Sequence, residues 1–351
     1  MSRLASKIPP VNRPTIMDVA RRCGLSKTTV SIILNESPAS SRVPPETQQR
    51  VRDAARQLGY RPNWRARALA SRRTHMIGVL YTPPMPLIVR GNYEGIMAGI
   101  HEVLHKNNYH VLFVPLGHNP ADWGKILLDQ RMDGALVLSR LRDPLASIIE
   151  QARLPVTLVN ADAPDHHLPT VVVDDYDGAA QSTRHLVGLG HRRISFLLGQ
   201  QPPHYSVTQR QDGYHAVMRD NGLADNVQVL SCTPEEFANN LLEQPPQERP
   251  TAVLVYTHYM AIKLLQLLWE RQIAVPRDIS VATFSNAYPV EDVIPPLTTV
   301  ALPTEQMGRA AAEMVLEQIR TDGTAPPRRV VLKENLIVRK STAPPTEAKG
   351  D

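Results

Sequence analysis

The chain is poor in several things that would have announced a function. It holds 2 cysteines among its 351 residues. Cys23 and Cys232 are far apart and make neither a disulfide framework nor a metal-binding spacing, so reduced thiols are expected. No run of about 18 apolar residues occurs, which excludes a transmembrane helix. Residues 1–14 carry charge and proline but no apolar segment, so no secretion signal is read there and a cytoplasmic location is expected. Gly-x-Ser-x-Gly, a phosphate-binding loop and a Cys/His catalytic pair are all missing, so the chain does not read as an enzyme. His166-His167 and the scattered histidines do not converge at metal spacing, and Gly188-Leu189-Gly190 reads as a helix stop. No cofactor is expected.

What is present is unevenly distributed. Residues 1–73 hold 15 Lys+Arg against 4 Asp+Glu, a balance of +11. The whole chain has 39 and 34, so residues 74–351 hold 24 and 30, a balance of −6. A basic first fifth on an acidic remainder points to a small nucleic-acid reader joined to a larger sensor or enzyme. The length suits two or three domains.

The basic part is patterned to fold. Thr15 is a helix N-cap with Asp18 as capping-box partner, and Gly24 breaks the helix that follows. Ser26 caps a second helix running to about Leu34, and this helix, Gly-containing turn and helix form a helix-turn-helix pattern. A third helix is expected over 46–58, started by Pro44 and Pro45 and stopped by Gly59. In the second helix Val30, Ile33 and Leu34 make the buried stripe. Thr28, Ser31, Ile32 and Asn35 lie on the opposite side, flanked by Lys27. Hydroxyls and Asn on that side can reach base edges or phosphates, and Ile32 can touch a thymine methyl.

Thr15-Ile16-Met17-Asp18-Val19-Ala20, Gly24-Leu25-Ser26-Lys27-Thr28-Thr29-Val30-Ser31, Leu34-Asn35 and Leu58-Gly59-Tyr60-Arg61-Pro62-Asn63 together resemble the DNA-binding head of the lactose/galactose repressor family. The resemblance puts Lys27, Thr28 and Ile32 at base-reading positions. It adds Thr15, Ser26, Thr29, Ser31, Asn35, Tyr60 and Asn63 as further DNA contacts. Two features depart from the family: the position of Ile32 is often Arg, and the loop 36–42 is longer than in the lactose repressor. Residues 63–71 are Ala- and Arg-rich and helix-forming, yet offer only Leu69 as a large aliphatic and nothing of their own to bury it. In the family this segment is a hinge helix ordered in the minor groove, with a leucine wedged between base pairs. Leu69 takes that place, with Arg67 and its basic neighbours on phosphates.

From Met76 onward short apolar runs alternate with amphipathic segments. Strands are expected at 76–81, 109–114, 134–138, 155–160, 170–173, 193–198, 227–231, 251–256, 279–284, 297–301 and 330–338. This alternation gives parallel sheets covered by helices, with ligands bound at the carboxyl ends of the strands. Val173-Asp174-Asp175, Gly190-His191-Arg192-Arg193-Ile194, Pro276-Arg277-Asp278-Ile279-Ser280-Val281 and Val338-Arg339-Lys340-Ser341-Thr342 extend the resemblance over the sensor. It implies an α/β core like that of periplasmic sugar-binding proteins: two lobes, joined by three chain crossings. Carried over residue by residue, it places ligand contacts at Tyr93, Ser139, Asn160, Ser206, Arg210, Thr257 and Ser285. His258 joins them as a possible cation. Thr257-His258 and Ser285-Asn286 stand where sugar-binding members carry acids, which leaves two readings: an anionic or less hydroxylated ligand, or a pocket that has lost small-molecule sensing.

The expected organisation is a disordered tail (1–14), a helix-turn-helix domain (15–60), a hinge (61–73), a two-lobed ligand-binding and dimerisation domain (74–340) and a flexible tail (341–351). The expected function is a transcriptional regulator, a repressor in sense, acting as a homodimer on pseudo-palindromic double-stranded operator DNA. A small-molecule effector (a sugar, sugar acid or related metabolite) controls it, and no membrane is involved. The competing reading is a solute-binding protein of a transport system with an unrelated basic N-terminus.

Overall fold

The computed structural model describes residues 14–35, 38–61, 68, 73–82, 92–117, 119–138, 141, 144–161, 167–201 and 204–346. The tails at 1–13 and 347–351, most of the expected hinge (with Asn63, Arg67 and Leu69) and Ser139 lie outside them. The described chain divides into two compact units, 1–75 and 76–351.

The first unit is three helices: α1 (Ile16–Cys23), α2 (Lys27–Leu34) and α3 (Pro45–Leu58). The Asp18 carboxylate accepts from the Thr15 backbone N–H at 2.9 Å and from its hydroxyl at 2.8 Å, which fixes the start of α1. Gly24 and Gly59 end α1 and α3 at φ of 63° and 65°, a left-handed backbone that glycine adopts without strain. Val19, Val30, Ile33 and Val51 are fully buried between the helices. The long loop contains a 3-10 turn, Pro38–Arg42. Gln48 ties it to α3 by donating to the carbonyls of Ser40 and Val43 at 2.9 Å each.

The second unit holds two six-stranded sheets. Lobe 1 contains β1 (Met76–Tyr81), β2 (His110–Pro115), β3 (Gly134–Val137), β4 (Val156–Val159), β5 (Thr170–Val173) and β11 (Arg329–Leu332). Its order is β11-β5-β4-β3-β1-β2, all parallel. Lobe 2 contains β6 (Ile194–Leu197), β7 (Gln228–Leu230), β8 (Ala252–Val255), β9 (Ser280–Phe284), β10 (Thr298–Ala301) and β12 (Asn335–Ile337). Its order is β12-β10-β9-β8-β6-β7, with β12 antiparallel to β10. The central strands are continuous apolar runs because helices cover both faces of each sheet.

The helices are α4 (Asn92–Lys106), α5 (Pro120–Leu128), α6 (Leu145–Ala152), α7 (Asp175–Gly188), α8 (Tyr205–Asp220), α9 (Pro234–Glu243), α10 (His258–Glu270) and α11 (Thr304–Arg320). The chain passes between lobes three times: from β5 into α7, from β10 into α11, and from β11 into β12. Three crossings is what the family resemblance implies.

Two expectations need correction. The run 330–338 is not one strand. Lys333-Glu334 interrupts it, and its halves join different sheets with opposite direction relative to their neighbours. The expected flexible tail is anchored as far as Thr346. Ser341 is fully buried, donating to the Val281 carbonyl at 2.6 Å and accepting from the Thr298 N–H at 2.8 Å. His191 Nε2 lies 2.9 Å from the Ala343 carbonyl, and Thr346 donates to the Arg277 carbonyl at 2.6 Å.

The second crossing is backed by an unusually close helix pair. A Cβ on Gly99 of α4 would lie 2.1 Å from the Glu305 carbonyl oxygen of α11, and one on Gly308 of α11 would lie 2.0 Å from that of Ile96. Both neighbours are backbone and cannot swing away. Gly99→Ala should therefore destabilise the second unit by roughly 1–3 kcal/mol, in the range of overpacked cores, as read by chemical denaturation. An unchanged denaturation midpoint would refute the close packing.

Candidate nucleic-acid interface and effector site

In the head, Lys27 and Thr28 are exposed at the start of α2, followed by half-buried Ser31 and Ile32 and exposed Asn35. Ser26 and Thr29 are partly committed to capping: the Ser26 hydroxyl accepts from the Thr29 N–H at 3.1 Å and lies 2.9 Å from the Thr29 hydroxyl. Asn35 Nδ2 donates to the Ser31 hydroxyl at 3.0 Å. Tyr60 packs against the head core and its N–H donates to the Ala55 carbonyl at 2.9 Å. The freest side chains are thus Lys27 and Thr28, one charged and one hydroxylic, beside the methyl-bearing Ile32.

In the sensor, the organising group is Arg210, on α8. Its side chain is only 8% exposed. Nε donates to Asp175 Oδ1 at 2.6 Å and Nη1 donates to the Tyr256 carbonyl at 3.0 Å. The guanidinium carbon sits 4.0 Å from the centre of the Phe284 ring and 4.9 Å from that of Tyr256, in cation–π range. Burial works against the charge, but Asp175 and then Glu334 outweigh it and raise the guanidinium pKa. Among the described residues, Nη2 donates to no acceptor. That edge is what Arg210 has left to offer a ligand.

Around Arg210 runs a chain of hydrogen bonds that crosses the lobes. Asn160, just past β4 in lobe 1 with φ of 53°, accepts at Oδ1 from the Tyr205 hydroxyl at 3.0 Å. The Asn160 carbonyl takes His204 Nε2 at 2.8 Å. A carbonyl only accepts, so Nε2 carries the proton, and Nδ1 is left to accept from the Ser206 N–H at 3.3 Å. The Ser206 hydroxyl lies 2.6 Å from Nδ1 and 2.7 Å from the Tyr256 hydroxyl. Burial raises the pKa of both Tyr205 and Tyr256, so both phenols are present as donors.

Of the expected ligand residues, Asn160, Ser206 and Arg210 are brought together by this network. Thr257 and Ser285 each follow an aromatic residue that packs on Arg210, at the carboxyl ends of β8 and β9. Thr257 caps α10, its hydroxyl accepting from the Met260 N–H at 3.3 Å. Ser285 is buried, with φ of 79° and its carbonyl accepting from the Thr299 hydroxyl at 2.8 Å. Tyr93 is half-buried against the lobe 1 core, where burial raises its phenol pKa.

His258 is not the cation it resembles in sequence. It is 4% exposed, its Nε2 has no hydrogen-bond partner among the described residues, and burial pushes its pKa down to about 4. Arg210 is already matched by Asp175. Neither residue therefore has positive charge to spare for an anionic ligand. Sequence reading missed Asp175, His204, Tyr205, Tyr256, Phe284 and Glu334. The doublet Asp174-Asp175, directly after an apolar strand, was the one signal that could have found the arginine's partner.

Comparison with known proteins bears on this geometry. Residues 15–63 match the profile of bacterial regulatory proteins of the lacI family, and residues 183–342 match that of a periplasmic binding protein-like domain. The HTH-type transcriptional regulator CelR of Thermobifida fusca is 30% identical over 341 residues, covering 94% of this chain and 98% of the relative. The chain belongs to the LacI family. DegA of Bacillus subtilis (strain 168), another HTH-type transcriptional regulator, is 28% identical over 95% of this chain and 99% of its own length. Among solved structures, a CelR–cellobiose complex matches with a TM-score of 0.67 at 29% identity, over 94% of this chain and 100% of that one. A lac repressor dimer bound to operator and the anti-inducer ONPF matches at 0.76 and 24% identity, over 94% and 99%; this likeness shows the fold. This LacI-family protein is accordingly a ligand-controlled, DNA-binding transcriptional regulator and not an enzyme. The solute-binding alternative falls with that membership.

Buried neutral His258 makes stability depend on pH. Its folded pKa lies below the unfolded value of 6.5, so its contribution is full above that value and is lost as pH falls toward about 4. His258→Asn should flatten the decline of the melting temperature across that window. An equally steep decline in the variant would show that His258 is not buried as the neutral ring.

Proposed function

We propose that the protein is a cytoplasmic repressor that binds a pseudo-palindromic operator as a homodimer. A small-molecule effector in the sensor cleft controls it: a sugar, sugar acid or related metabolite. The observation that carries this reading is Arg210, locked on three sides yet with one donor edge free, at the strand ends of a core whose basic head presents Lys27, Thr28 and Ile32. Two-fold symmetry fits because a single three-helix head buries too little DNA surface for tight binding.

The effector acts by population shift. It binds one arrangement of the lobes better than another, and the segment 61–73 passes the difference to the heads. That segment's weakness as an isolated helix is what makes it controllable. Within the proposed ligand classes the charge balance around Arg210 favours a neutral polyhydroxyl compound, because a guanidinium already matched by a carboxylate has little charge left for an anion.

Two measurements test these claims. Operator affinity should fall roughly 10³–10⁵-fold between about 50 and 200 mM salt if the protein makes about 6–10 phosphate contacts, and Leu69→Ala should weaken it further without unfolding the sensor. Flat salt dependence would remove the DNA reading. For the effector, a thermal-shift screen of cellobiose, glucose, gluconate and glucose 6-phosphate is informative with Arg210→Lys. The lysine keeps a cation near Asp175 but lacks the forked edge, so any shift seen in the wild type should disappear. A retained shift would displace Arg210 from the site.

A further inference from the structure

Glu334 is the residue the fold explains least. It stands at the third crossing, after exposed Lys333, yet is only 1% exposed. Among the described residues neither carboxyl oxygen has a hydrogen-bond partner, and Asp175 Oδ2 has none either. Its backbone is held in place: the Glu334 carbonyl accepts from Gln181 Nε2 of α7 at 3.1 Å, and Gln181 Oε1 accepts from the Leu336 N–H at 3.2 Å. The carboxyl lies against the bare backbone of Gly178, where a side-chain Cβ would sit 1.8 Å from Oε2.

The charges facing it are Asp175, Arg210, Asp174 and Asp177, and the Tyr205 phenol is within its field. Arg210 is the one base in this group, and it is already paired with Asp175 at 2.6 Å. A second buried carboxylate would stand with two acids on one base and with no donor of its own. Taking a proton removes that cost. Burial, then Asp175, raise the Glu334 pKa well above the ordinary carboxylate value, in keeping with this count.

We propose that Glu334 is a proton-binding residue of the third crossing: its packing on α7 holds it as the neutral acid, and local opening of the crossing releases its proton. The charge of the Arg210 cluster is then linked to pH through the residue that faces it. The proposal does not depend on the identity of the effector, so its test uses the full-length protein alone.

The sign follows from linkage. A folded pKa raised above the unfolded one gives stability that is present at low pH and lost as pH rises. Glu334→Gln keeps the shape and cannot ionise. Between about pH 5 and about pH 8 the wild type should lose melting temperature relative to Glu334→Gln, by roughly 2–4 °C per pH unit for a one-proton linkage. Amide exchange at Asn335, Leu336 and Ile337 should match in the two proteins at the lower pH and be faster in the wild type at the higher. Gly178→Ala, which displaces the carboxyl, should shrink the difference in pH profile between Glu and Gln at 334. Parallel melting profiles, or exchange that differs equally at both pH values, would overturn the proposal.

Discussion

The sensor is built around one buried ion pair. Removing a guanidinium and a carboxylate from water is expensive, and their attraction repays that only with good geometry and supporting contacts. Asp175 and Arg210 meet at 2.6 Å, a carbonyl takes Nη1, and an aromatic face lies 4.0 Å from the charge. Each of those supports comes from a different element: α7 supplies Asp175, α8 supplies Arg210, the end of β8 supplies Tyr256 and the end of β9 supplies Phe284. The pair exists only when lobe 2 is fully assembled. Removing one partner leaves the other charged and alone, a loss of about 3–5 kcal/mol. Folding of the lobe and readiness of the site are therefore the same event.

The same dependence explains the interlobe contacts. His204 caps α8 and Tyr205 opens it, six and five residues before Arg210, and both reach Asn160 in lobe 1. Ser206 and Tyr256 carry the connection back to the strand that holds Nη1. A ligand that engages the free edge of Arg210 acts on a helix whose first turn already grips the other lobe. Small displacements there become changes in lobe arrangement because packed cores and interlocked donors have discrete arrangements, not a continuum.

Much of the fold was legible in the sequence because burial on both faces leaves unmistakable apolar runs. Strands β1 and β5 were read to the residue, and most others to within one. The three head helices were equally clear, since caps such as Thr15 and stops such as Gly59 leave local chemical marks. The strand over 330–338 was misread for an equally physical reason. Its apolar residues continue across Lys333-Glu334, and a charged pair in such a run looks like a solvated kink, not a passage between lobes. Arg210 itself came from family resemblance. Its partner lies 35 positions away, a separation that no periodicity records. His258 was misjudged because sequence shows a residue type and not its solvation. A histidine at a strand end looks cationic until burial makes it neutral.

Those errors share a cause, and it alters the reading of the ligand. Acids were sought after β8 and β9, where the chain has Thr257-His258 and Ser285-Asn286 instead. Their absence argued for an anion. The acids of this site enter instead from the chain crossings, Asp175 from the first and Glu334 from the third. One of them matches Arg210 and the other is left over, so the cluster has no spare positive charge to give. A ligand that relied on its own negative charge would compete with Asp175 for the same guanidinium. A ligand rich in hydroxyls would not: it can accept from Nη2 and donate to neighbouring oxygens without disturbing the pair on which lobe 2 depends.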